Sequence, residues 1–192
     1  MSILVVLRQV VAALEGLNVP YVLVGSFASS AHGFPRTTND ADIVADLRRE
    51  HAAPLAAALR SRFYIDADSV ARAISQCRSF NAIHLETGFK IDVFVPPPGS
   101  FGWQQLARGV PERLGPESAS PVSVATAEDT VISKLEWYRA SGEASDRQWL
   151  DLVGVIKVQG SAIDRAYLRE WSAKLGLTAL LDRALTDAGL ES

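Results

Sequence analysis

Apolar residues recur at Leu4, Leu7, Val11 and Leu14, the spacing of one face of an amphipathic helix over residues 3–15. Gly16 and then Pro20 end it. The pattern then changes period. Residues 21–25, YVLVG, form a continuous apolar run that reads as a short buried strand, and the small residues as far as Ala31 suit a tightly packed helix. Turn residues Gly33, Pro35 and Asn39 lead into a second apolar strand, ADIVA. Helices are expected over 49–62 and 68–77. The runs FNAIHLE and FKIDVFV flank Thr87-Gly88 as the two arms of a hairpin. Pro96-Pro97-Pro98-Gly99 ends the second arm, and a helix is expected over 101–108. Residues 109–123 are rich in Pro, Gly and Ser with little periodicity. From Thr126 the period is helical, with helices expected over 127–140, 146–158, 164–174 and 177–188. Thr126 with Asp129 has the form of a capping box in which aspartate replaces Glu or Gln. The expected architecture is an α+β core (1–108) with a mixed sheet flanked by helices, a linker (109–125), and a C-terminal helical subdomain (126–192) packed on the core.

Composition narrows the class. The 192 residues are 48% hydrophobic and 21% charged, as in a globular chain that buries a sizeable core without disulfides. A single cysteine, Cys77, excludes a disulfide framework or a multi-cysteine zinc site, and three scattered histidines make a histidine cage improbable. The N-terminal ILVVL run has no basic residue before it and is broken by Arg8 and Gln9, unlike a secretory signal. No stretch reaches the ~18 apolar residues of a membrane span. A cytoplasmic location with no membrane partner is expected. The net charge of −3 argues against a broad phosphate-tracking surface, though not against a local basic pocket.

Candidate chemistry begins with carboxylates. Asp40 and Asp42, two apart at the start of a strand, share one face, while Ala41 and Ile43 point into the core. Two close carboxylates repel unless something positive lies between them, and a divalent cation that prefers oxygen is the natural partner. A solvated strand entrance is the plainer reading of an isolated Asp-x-Asp. Asp92 interrupts the apolar run Ile91 to Val95, where it needs a cation, hydrogen bonds or solvent. Three aspartates with no histidine companion fit Mg²⁺, or Mn²⁺, better than zinc. Gly25-Ser26 ends a strand and opens a helix, a place where backbone N–H groups and a hydroxyl suit a phosphate.

Taken together, VGS (24–26), RTTNDADIV (36–44) and KIDVF (90–94) resemble the nucleotidyltransferase superfamily of the polymerase-β type. Within it the chain is most similar to the AbiEii-type and related minimal nucleotidyltransferases. Lys134-Leu135 matches that family's next element, and Asp151 matches the last aspartate of its Asp-x-x-Asp helix. Gln148 stands where the first aspartate of that motif belongs. The resemblance covers residues 21–95 and, less closely, 126–152. It implies an Mg²⁺-dependent transfer of a nucleoside monophosphate from an NTP to an acceptor hydroxyl, with release of pyrophosphate. Asp40, Asp42 and Asp92 would be catalytic and would hold the metal. Gly25, Ser26, Arg36, Lys90, Lys134 and Asp151 would bind the nucleotide. The acceptor is left open among an RNA end, a protein hydroxyl and a small molecule. A bacterial toxin–antitoxin or phage-defence setting with a cognate partner protein is implied as well.

Other residues have plainer readings. Lys134, among Val131, Ile132, Leu135 and Tyr138, could lie along apolar surface with its ammonium in water; the resemblance instead gives it the triphosphate. Arg36 is a phosphate clamp or a surface ion pair. Trp137, Tyr138, Trp149 and Trp171 are read as core, His84 as a hydrogen-bonded structural histidine, and Cys77 as a helical residue without a role. The rival to an enzyme is an antitoxin-like or regulatory protein that keeps the fold without turnover, favoured by Gln148. A metal-dependent phosphoesterase is a third reading.

Overall fold

The computed structural model describes residues 2–114 and 120–190. The chain divides into two compact units. One comprises Met1–Val24 and Thr37–Val124, the other Gly25–Arg36 and Ala125–Ser192.

The first unit is built on a seven-stranded mixed sheet. Its strands are β1 (Tyr21–Val24), β2 (Asp40–Ala45), β3 (Phe63–Tyr64), β4 (Ser79–His84), β5 (Lys90–Phe94), β6 (Val110–Glu112) and β7 (Val122–Val124), in the order β3-β4-β5-β2-β1-β7-β6. The two central strands β2 and β5 run parallel, β1 lies antiparallel to β2, and β4 lies antiparallel to β5 as the expected hairpin. Alternation sets the faces. Ala41, Ile43 and Ala45 of β2 and Ile91 and Val93 of β5 are buried, so the intervening Asp40, Asp42, Lys90 and Asp92 all project from the opposite face. Helix α1 (Ile3–Gly16) buries Val6, Leu7, Val10, Val11 and Leu14 and packs on β2 and on α3 (Ala52–Leu59). Helix α4 (Ala67–Ser75) is capped by the Asp66 carboxylate, which accepts from the Ser69 N–H at 2.8 Å. Helix α5 (Phe101–Arg108) packs against β1 and β2.

The stretch 109–125, read from the sequence as a linker, holds β7 and the edge strand β6 of this sheet; residues 115–119 of it lie outside the described residues. Strands of three residues carry too few positions to show a period, so the Pro, Gly and Ser content dominated the reading.

The second unit is helical. It begins with α2 (Gly25–His32) and continues with α6 (Ala127–Ala140), α7 (Asp146–Gln159), α8 (Arg165–Leu175) and α9 (Thr178–Asp187). Side-chain oxygens of Thr126, Ser145 and Asp164 cap α6, α7 and α8 by accepting from the N–H three residues on. Gly176 ends α8 at φ 68°, the left-handed C-terminal turn that glycine adopts without penalty. Val131, Ile132, Leu135, Leu152, Val155, Ile156, Leu168 and Leu181 form the core. Helix α2 packs on α6 and α7. Its close seat depends on Gly33, where a Cβ would lie 2.9 Å from the Ser29 carbonyl oxygen and 3.0 Å from the Val155 nitrogen. His32 hydrogen-bonds the Ala125 carbonyl through Nε2 at 2.6 Å, and Gln159 donates to the His32 carbonyl at 2.9 Å.

Among the described residues no helix is long and apolar enough to cross a membrane. Trp149 and Tyr138 are core residues as expected, but Trp137 is exposed. Neighbouring helix positions point about 100° apart, so Trp137 turns outward when Tyr138 turns inward. Cys77 lies just past α4 at φ 49° and not within a helix. His84 is buried and bonds Thr87 Oγ1 through Nδ1 at 2.9 Å, the structural role expected of it.

Candidate functional site

The sequence-derived candidates fall into two groups, one in each unit. The first is the carboxylate face of the sheet. In the parallel register of β2 and β5, Asp42 stands directly beside Asp92, and Asp40 beside Lys90. Side chains so paired are about 5 Å apart, close enough for the carboxylates to repel and for one cation to meet both. Lys90 meets that demand in part: its Nζ lies 2.7 Å from Asp92 Oδ2. The hydrogen bond to Asp92 raises the Lys90 pKa above the ordinary lysine value, burial opposes the rise, and the charges of Asp92, Asp40 and Asp42 add to it. All three carboxylates thus act on one ammonium. Asn81, the antiparallel partner of Asp92 on β4, shares this face and was not singled out in the sequence; only the hairpin register reveals it.

Asp40 also has a local donor. Its Oδ1 accepts from Thr38 Oγ1 at 2.5 Å. Among the described residues no three His, Cys, Asp or Glu side chains are gathered as a ready metal cage. Asp40 is engaged by Thr38 and Asp92 by Lys90. The donor set nevertheless suits a hard divalent cation. It offers carboxylate oxygens on two rigid adjacent strands, with a cationic side chain already drawn to them.

The second group lies in the helical unit. Lys134 of α6 is 3% exposed, and its Nζ donates to Asp151 Oδ2 and to Gln148 Oε1, both at 2.9 Å. Arg36 reaches the same carboxylate through Nε and Nη2 at 3.1 Å and also donates to Ser26 Oγ. Burial would raise the Asp151 pKa, yet the hydrogen bonds from Arg36 and Lys134 and their charges outweigh it and hold the carboxyl below its usual range. Two cations, Lys134 and Arg36, thus meet on one carboxylate beside the Ser26 hydroxyl in the first turn of α2. Lys134 does not reach along apolar surface to water. Its ammonium is buried on Asp151, a partner 17 positions away that no local pattern shows. Gly25 takes φ 61°, the left-handed turn by which β1 passes into α2.

No protein-family model and no curated protein sequence matches the chain. Solved structures do. The solution structure of the antibiotic-resistance factor ANT(2'')-Ia superposes with a TM-score of 0.54 at 16% identity, over 92% of this chain and 93% of that one. Its crystal structure in complex with adenylyl-2''-tobramycin gives 0.54 at 15% identity, over 89% and 97%. A nucleotidyltransferase-like protein from Paracoccidioides brasiliensis gives 0.53 at 17% identity, over 94% and 91%. The mixed seven-stranded sheet with flanking helices and a helical C-terminal region is the nucleotidyltransferase-like α+β fold.

Proposed function

We propose that the protein is a nucleotidyltransferase that moves a nucleoside monophosphate from an NTP to an acceptor hydroxyl. The observation that carries this reading is the parallel register that sets Asp42 beside Asp92, with Asp40 two residues earlier on the same face of this fold. Asp40, Asp42 and Asp92 would hold a divalent cation, Mg²⁺ or Mn²⁺, whose charge would offset that of the phosphates. The acceptor oxygen attacks the α-phosphorus while its proton passes to Asp92. The bond from the α-phosphorus to the bridging oxygen breaks, and pyrophosphate leaves with the electron pair. Ser26, Arg36 and Lys134 are assigned to the phosphates by the family resemblance, and their meeting in one cluster at the start of α2 supports that assignment. The acceptor belongs to the class of hydroxyl-bearing RNA ends, proteins or small molecules; ANT(2'')-Ia, whose structure holds adenylyl-2''-tobramycin, illustrates the last. The AbiEii-type likeness and a role in bacterial defence with a cognate partner protein rest on the motifs at residues 24–26, 36–44, 90–94 and 134–135.

A second reading has one observation in its favour. Lys134 and Arg36 are both engaged by Asp151, and Lys90 by Asp92, so each candidate phosphate ligand already has a carboxylate partner. A non-catalytic regulatory protein would show this arrangement. Incubation with each labelled NTP, Mg²⁺ and cell extract separates the readings. Transfer of label with an equal yield of pyrophosphate, lost in Asp42→Asn, supports the transferase. Release of inorganic phosphate alone identifies a phosphoesterase. Absence of turnover at wild-type level with all four NTPs favours the regulatory protein.

A further inference from the structure

Residues 33–36 run along α7 toward its N-terminus: Gly33 lies against Val155, Phe34 against Gly154, and Arg36 against Asp151. Phe34 is 65% exposed, the most open aromatic ring of the helical unit among the described residues. It does not project freely. A Cβ at position 154 would meet its ring carbon Cδ2 at 3.0 Å, so the glycine lets the ring lie down on the helix with the rest of its surface open. Leu150, one turn earlier on α7 and also exposed, extends the apolar surface. Pro35 confines Phe34 to extended backbone, and in an extended segment side chains two apart project to the same side about 7 Å from each other. Phe34 and Arg36 are two apart.

An open aromatic ring therefore stands one helical turn from the cluster in which Arg36, Lys134 and the Ser26 hydroxyl gather at Asp151. That is the pairing of surfaces a nucleotide needs: a flat face for the base and a cationic corner for the phosphates. We propose that Phe34 is the stacking surface for the nucleobase of the bound nucleoside triphosphate, held in place by Gly154. This rests on the nucleotide reading above and adds to it the part of the substrate that lies beyond the phosphates. Stacking on a ring is tolerant of base identity, so Phe34 contributes affinity for all four bases more than a choice among them.

Calorimetric titration with each of the four NTPs and, separately, with inorganic tripolyphosphate tests this, always with Mg²⁺. The proteins are wild type, Phe34→Ala and Phe34→Trp. Phe34→Ala should weaken every NTP about tenfold and leave tripolyphosphate unchanged, and Phe34→Trp should restore the NTPs. NTP affinity unaltered in Phe34→Ala, or an equal loss for NTP and tripolyphosphate, overturns the stacking role. Failure of wild type to bind either NTP or tripolyphosphate overturns the nucleotide reading itself, a distinguishable result.

Discussion

Replacing Asp151 by asparagine removes the anion that holds two cations. Lys134, 3% exposed, would lose the carboxylate 2.9 Å from its buried ammonium and keep the Gln148 oxygen at 2.9 Å. Breaking a buried ion pair from one side costs about 3–5 kcal/mol. Arg36 is 24% exposed and can turn to water, so its share adds about 1 kcal/mol or less. A loss near 4 kcal/mol is expected, which in a chain of this length lowers the melting temperature by about 8–16 °C. Lys134→Met provides the contrast. It removes the buried charge and fills the same space with apolar atoms, while Asp151 keeps Arg36, and the expected loss is about 1–2 kcal/mol. The double variant should lose clearly less than the two single losses together, because the buried ammonium that faced Asp151 is gone. Urea unfolding of the four proteins at neutral pH gives the cycle. If Asp151→Asn loses less than about 1 kcal/mol, or if the two losses simply add, Lys134 is hydrated and the buried cluster is wrong.

The same carboxyl predicts an acid response. Its folded pKa lies below the ordinary value of about 3.9, so its stabilisation is complete above that value and is lost as pH falls through the lower folded pKa. Melting temperatures between pH 6 and pH 2 should fall less steeply in Asp151→Asn than in wild type, and parallel curves would refute this. Gly33→Ala should cost about 1–3 kcal/mol, since both close atoms belong to backbone; a melt equal to wild type would show that α2 can move away from α7. Asp92→Asn loses an ion pair to a half-exposed lysine but relieves repulsion with Asp42, so its melt without ligand should stay within about 1 kcal/mol of wild type. Its gain in melting temperature with Mg²⁺ and NTP should be smaller than that of wild type, and a full gain would remove Asp92 from the site.

The elements that carried a clear period were legible in advance. The alternation in ADIVA and KIDVF placed the aspartates on the polar face of the sheet, and the helical spacing from Thr126 onward located α6 to α9. What could not be read was set by partners distant in the chain. Asp42 and Asp92 belong to strands separated by two helices, and their matching register is a property of the sheet. Lys134 looked ambiguous because its neighbours on α6 are apolar, and the deciding contact comes from α7. The Thr38 hydroxyl that donates to Asp40 lies in the same motif, but no spacing rule singles out that contact. Strands β3, β6 and β7 were too short to leave a pattern.

The chain passes between its two units at Val24–Gly25, at Arg36–Thr37 and again at Val124–Ala125. Neither unit is therefore a continuous stretch of gene. A fragment beginning at Ala125 would lack α2 and expose the apolar faces of α6 and α7 that α2 covers; a fragment ending at Val124 would carry the buried Phe27 and Ala28 with nothing to bury them. The units cannot be exchanged by recombination as modules are, nor dissected by truncation. Loss of the helices after Val124 would leave the twelve residues of Gly25–Arg36 without the surface they pack on, so the helical unit needs both of its segments of chain.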